Sequence, residues 1–528
     1  MHPALRSAAP VALSLVLAAR LVAQVDHRHA GEHLGRVAFP TSCRPDAEQR
    51  FGRAMALLHS FWWEEGARAF RGVAAADSSC AMAYWGLAVV AWGNPFAGGP
   101  GADDLRAGAA AATRALALGA PTARERGFLA AAGALYRDYA TVPNSQRLQA
   151  YSDTLARLYH DVPDDPEVAM YYALSLVATA SPTDTTYARQ KQAAAILNPL
   201  FRRFPEHPGL AHYIIHANDS PELAYLGLDA ARRYAQIAPS APHAQHMPSH
   251  IFIRLGLWDE TIAANERALA ACVRYAAAQH LPGSVPDQFH VLDYLVYGYL
   301  QEGRDTTAQR AVAQGLALAA QVPGDVLRSV YNYNIVAMEA RAPLERGDWA
   351  AAARLPVRAA GPGGVGEALT QFTRAVGAIQ SGDTAQARAE VRSLATIERA
   401  LAGQPGYNWS RIVGIETQAL GAWLLLAAGD TAGALREAAS AADREDVTAK
   451  HPVTPGELLP ARELEGDLLL RVGQYARAQA AYEVTLKREP GRARSLFGAA
   501  QAAARAGDAT TARVRYQDYL KLMERADG

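Results

Sequence analysis

Two histidine pairs set the register of this chain. His212 and His216 stand four residues apart, as do His246 and His250, and the second pair follows the first by 34 residues. Pro205 and Pro239 share that interval. Near the C-terminus Gly473, Ala478 and Tyr482 recur as Gly507, Ala512 and Tyr516, again 34 residues later. An interval of this length is the period of a helix–turn–helix unit, and such units stack on one another into a single solenoid.

The turn glycine of the unit recurs upstream at Gly256, Gly303, Gly347, Gly382 and Gly429, with steps of 35 to 47 residues, so some hairpins carry longer helices or loops. Ala and Leu dominate the periodic segments, both favour helix, and no segment alternates long enough to argue a sheet. These signals predict an all-α fold, a tetratricopeptide-like (TPR-like) solenoid of helical hairpins wound as a right-handed superhelix of antiparallel helix pairs. In the first hairpin, Phe51 to Ser78, Gly66 allows close helix approach and Phe70 fills the space one turn later. The predicted organisation is a signal peptide at 1–23 and a flexible arm at 24–45. A main array follows at 46–360, with its histidine-rich segment at 207–297. A glycine-rich linker at 361–366 leads to a C-terminal array at 367–528.

Formal net charge is zero, with 52 basic and 52 acidic residues and no block of one sign. The electrostatic footprint of a nucleic-acid binder is therefore missing. Arg6, the apolar run Val11 to Ala19 and a cut near Ala23-Gln24 read as an export signal. Nine apolar residues are too few for a bilayer, which needs about 20, so no membrane span is expected after signal removal. Export permits oxidation, and Cys43 and Cys80 flank the first hairpin where neighbouring helix starts could be bridged. Cys272 falls in an apolar stripe and reads as a buried hydrophobe.

No phosphate loop, zinc-protease helix, Cys-x-x-Cys or nucleophile elbow occurs. Gly361 to Gly366 matches a dinucleotide fingerprint as a string but lacks the preceding strand and carries Pro362. Asp103-Asp104 and Asp164-Asp165 fall at helix starts, where carboxylates cap free amides. The histidines differ. Both His-x-x-x-His pairs face one way on their helices. The 47-residue step from Gly256 to Gly303 carries His243 onto His290, His246 onto Asp293 and His250 onto Tyr297. Successive first helices thus present His212, His216; His243, His246, His250; and His290, Asp293, Tyr297 on the concave, ligand-binding side of a solenoid. His212, His216, His246, His250 and Asp293 form a ligand set suited to zinc or copper. Asp219 either fixes a ring tautomer from outside or caps the helix after Pro221. Three readings stay open for the cluster: a metal site, a peptide or small-ligand surface, and a polar seam between helices. Pro248 leaves the direction of the second pair open. His59, at the end of the first helix, reads as a capping or packing residue.

Phe39-Pro40-Thr41-Ser42-Cys43, Leu57-Leu58-His59-Ser60-Phe61-Trp62, Cys80 to Gly86 and Ile251 to Trp258 resemble a family of exported bacterial tetratricopeptide-repeat proteins without an assigned activity. The resemblance implies a repeat solenoid in the periplasm or outside the cell, and it carries over no catalytic residues. The expected function is a non-enzymatic scaffold that binds a peptide or protein on its concave face. The alternative is a zinc- or copper-binding protein that uses the histidine cluster, with metal-dependent activity on a small ligand.

Overall fold

A computed structural model describes residues 32–96, 98–281, 286–322, 332–357, 364–404 and 406–527. The predicted signal at 1–23, with His27 and His29, lies outside them. Among the described residues every regular element is helical, from Pro45–His59 to Ala509–Leu522, with a short 3-10 turn at Met523–Arg525. Each helix packs on its successor and, at many steps, on the next but one, the contact pattern of a TPR-like solenoid of stacked hairpins. No helix among the described residues is long and apolar enough to cross a membrane.

The turn glycines and the aromatic residues do the spacing expected of them. All seven, from Gly256 to Gly507, adopt positive φ. Gly256 shows why nothing larger fits, since a Cβ there would meet the Pro490 carbonyl oxygen at 2.3 Å. Tyr482 is wedged between two helices, where a Cβ on Gly498 would come within 2.5 Å of its ring and one on Gly466 within 2.9 Å. Phe70 packs on Gly86 of the next helix in the same manner. Gly498→Val should therefore lose about 1–3 kcal/mol by overpacking. Urea unfolding reads this directly, and an unchanged midpoint would contradict the packing role of Tyr482.

Two predicted boundaries need correction. Residues 32–44 are pinned and do not form a flexible arm. His33 N–H donates to Ser240 Oγ at 2.8 Å and Arg36 N–H to the Glu206 carbonyl at 2.9 Å. Phe39 is buried against Phe51, Trp85 and Phe128 with ring separations of 5.2–5.5 Å. The apolar ring gains more from that core than the segment loses in chain entropy. Within the predicted linker, 361–363 fall outside the described residues, whereas Val365 and Gly366 already belong to the helix Val365–Gln380. Gly366 is a contact residue, because a Cβ there would overlap the Asn332 amide. A disulfide joins Cys43 to Cys80, and Cys272 is a buried free thiol.

The C-terminal hairpins return onto the central ones. Trp258 Nε1 donates to the Gly491 carbonyl at 2.8 Å, and Ala493 N–H donates to Gln301 Oε1 at 2.8 Å. Arg492 is fully buried among Glu463 at 2.7 Å, Glu345 at 3.0 Å and the Tyr297 hydroxyl at 2.9 Å. The non-helical segment 447–460 lies against the same hairpins. Ala449 N–H reaches the Pro182 carbonyl, Arg341 Nη2 reaches the Gly456 carbonyl, and Lys450 Nζ stands 3.4 Å from Asp219. The helices expected to take a peptide partner thus receive a piece of their own chain.

Candidate metal centre

Three helical stretches supply the site. Pro208–Asn218 starts with Pro at its first position, where a missing N–H costs nothing, and buries Leu210, Ala211, Ile214 and Ile215. Its remaining positions turn His212 and His216 to one side. The next unit is broken into Pro242–His246 and Pro248–Arg254 because Pro248 has no N–H to donate. Met247 keeps right-handed helical dihedrals (φ −54°, ψ −33°), so the phase runs on and His246 and His250 still share a face. Pro286–Gln301 brings His290 and Tyr294.

Six imidazoles assemble as two triads, His212 with His216 and His243, and His246 with His250 and His290, each with one ligand atom per residue within 4.8 Å of the others. Each triad has the same construction, a pair one turn apart on one repeat and a third ring from the following repeat. The first is covered by Phe61, with ring centroids 4.4 to 5.7 Å from its three imidazoles. The second is covered by Tyr294, at 4.7 to 5.2 Å.

Hydrogen bonds around the triads fix ring tautomers. His212 Nδ1 donates to the His59 carbonyl at 2.7 Å. His250 Nδ1 donates to Asp219 Oδ2 at 3.0 Å, and that carboxylate is held by Arg254 at 3.0 Å and by Lys450. His246 Nδ1 donates to Asn265 Oδ1 at 2.6 Å, and the amide is oriented by Asn265 Nδ2 donating to the Thr261 carbonyl. An imidazole that donates from Nδ1 keeps a bare lone pair on Nε2. The Nε2 atoms of His246 and His250 face each other at 3.1 Å, and those of His212 and His216 at 3.0 Å. In the second triad both facing atoms are lone-pair acceptors that repel each other, and the Tyr294 hydroxyl, 3.2 Å from His250 Nε2, is a donor within reach of one of them. Two nitrogens on one tetrahedral zinc stand about 3.3 Å apart. His243 Nε2 and His290 Nδ1 are buried with no protein partner, and such orphaned atoms are rare in folded chains.

Burial is the largest influence on these rings. It pushes His212, His216, His243 and His290 well below the ordinary imidazole value, with neighbouring imidazoles adding to the shift. It takes His246 down to about 3. His250 is also lowered by burial, with Asp219 pulling the other way. The rings are therefore neutral imidazoles, not cations.

Asp293 and Tyr297 go elsewhere, and the four histidines of the expected five-residue ligand set are divided between two groups of three imidazoles. Asp293 is fully buried against Arg341 Nε at 3.0 Å, because a buried carboxylate needs a charge partner and the guanidinium is in reach. Tyr297 accepts from Arg492 and stacks edge-on with Trp258 at 5.2 Å. Asp219 acts from outside the ligands, through His250. Sequence reasoning missed Tyr294, Asn265 and Lys450, although Lys450 is one of four lysines in the chain. It also missed the buried group His59, Glu167 and His207. Glu167 bridges His59 Nε2 at 3.0 Å and His207 Nε2 at 3.1 Å, while His59 Nδ1 meets the Tyr213 hydroxyl at 2.9 Å. Burial would raise the Glu167 carboxyl, but the two imidazoles outweigh it and hold the group below its usual range. This network spends ring nitrogens on the carboxylate, and it seats the His59 carbonyl under His212. A cavity of about 160 Å³ reaches the first triad at His216, lined also by Phe96, Tyr187, Asp219, Arg254 and Lys450.

Comparison with solved structures finds low similarity to three of them. Human IFIT1 as a dimer with PPP-AAAA is 12% identical, with 80% of this chain and 87% of that chain covered and a TM-score of 0.38. The TPR domain of P58(IPK) is 12% identical over 88% of this chain and 99% of that one, with a TM-score of 0.23. The Cut9-Hcn1 structure is 11% identical over 77% and 81%, with a TM-score of 0.27. No protein-family model and no curated protein matches the chain.

Proposed function

We propose that this TPR-like protein binds transition metal, copper or zinc, at two neighbouring three-histidine sites. The observation that carries the reading is the second triad. His246 and His250 both spend Nδ1–H on acceptors outside the site, and so aim two Nε2 lone pairs at one point. Outer partners of this kind, a carboxylate and an amide oxygen, are what orient metal-ligating imidazoles. Three imidazoles with a free coordination position suit a metal that also takes an exogenous ligand. The cavity at His216 supports the entry of a small one. A peptide on the central repeats is the weaker reading, because segment 447–460 already covers those helices. The Cys43–Cys80 disulfide supports a location outside the reducing cytoplasm.

Metal analysis tests the proposal. Full-length protein loaded with copper(II) or zinc and dialysed should retain metal in excess of the buffer, with two ions per chain. A metal content equal to the buffer's would overturn it.

A further inference from the structure

We propose, resting on the metal reading above, that the two triads act as one dinuclear centre whose ions share a small bridging oxygen ligand such as hydroxide. Within the second triad the ring centroids are 4.3 to 6.1 Å apart. Between the triads, His243 stands 6.1 Å from His246 and His216 stands 6.4 Å from His250. The gap between sites is thus hardly wider than the spacing inside one, and the six rings form a continuous cluster.

The construction explains this closeness. His243 belongs to the same short helix as His246, yet it completes the first triad while His246 opens the second. One turn of backbone ties a ligand of each ion together. The two aromatic covers also differ in kind. Phe61 offers the first triad only hydrocarbon, so a further ligand there must come from outside the ring set. Tyr294 places its hydroxyl 3.2 Å from His250 Nε2 and 3.4 Å from the Val453 carbonyl, so rotation of the O–H would let it donate to an oxygen held at the second ion. The cavity at His216 gives water a route to the pair. Binding hydroxide this way needs no electron: water loses one proton to solvent and its oxygen coordinates both ions.

Copper(II) serves as the probe, with electron paramagnetic resonance and metal content read on the same sample of full-length protein. A single bridging oxygen pairs the unpaired electrons of the two ions by exchange. Wild type should bind two copper ions per chain and show loss of most of the copper(II) signal. His290→Ala and, separately, His243→Ala should each bind one copper and regain a mononuclear signal equal to the copper bound, with unchanged helical circular dichroism. Two ions with full spin count in the wild type would overturn the bridge and leave the metal sites standing, whereas one ion with full spin count would overturn the bridge and leave a single metal site. Retention of no copper would overturn both the bridge and the metal reading.

Discussion

Replacing His246 and His250 together by alanine is expected to abolish metal binding at the second triad, halving the metal bound by the loaded protein. Both Nε2 atoms that face one another at 3.1 Å disappear, and His290 alone cannot hold an ion. Loss of two of three ligands exceeds the tenfold to hundredfold loss typical of an outer partner. Asp219→Asn is the graded comparison. It keeps the ligands but weakens the acceptor that fixes His250, so affinity should fall by about 10- to 100-fold. The pH profile has a definite sign. Ligands must be deprotonated, and burial holds these rings neutral far below the free imidazole value near 6.5. Affinity should persist below that region, and it should be lost at the latest as pH approaches the value of about 3 to which His246 is pushed. A midpoint near the free imidazole value would contradict the burial of the rings. Titration calorimetry of wild type and both variants reads all three effects.

The second large effect lies where the C-terminal hairpins meet the centre. Arg492→Met should cost about 3–5 kcal/mol, because it leaves Glu345 buried without its cation and Glu463 with only one of its two, Arg494. Burial alone would lower the Arg492 guanidinium, and the two carboxylates more than reverse that. Arg515→Met is the control. It pairs with Glu483 at a site about 30% exposed (28% and 32%), and such pairs contribute about 0–1 kcal/mol. Denaturant unfolding of the two variants should differ several-fold in lost stability. Equal, small losses would mean that the junction around Arg492 is not what holds the C-terminal hairpins to the centre.

Much of the fold was legible because repeats write local rules many times. The turn glycines declare positive φ at each hairpin, and Ala478 with Tyr482 declares close helix packing. The i, i+4 histidine pairs were legible for the same reason, since one helical turn fixes which side chains share a face. What escaped depends on distances that no period encodes. Lys450 meets Asp219 across 231 residues, and only the return of the C-terminal hairpins brings them together. Asp293 occupied the repeat position of His246, yet the carboxylate answers to the buried Arg341 introduced by another hairpin. Tyr294 stands one residue further on and takes the place at the imidazoles. Phe39 read as part of a mobile arm because a single apolar residue in a polar stretch carries no periodicity, although its burial pins the segment.

The central claim, that six histidines hold metal in two triads, is tested most directly by anomalous diffraction from crystals of the metal-loaded protein. The expected result is two anomalous peaks, one about 2.0–2.1 Å from a ring nitrogen of each of His212, His216 and His243, the other equally close to His246, His250 and His290. Peaks confined to surface residues or to the histidines before Glu32, with none at the triads, would contradict it.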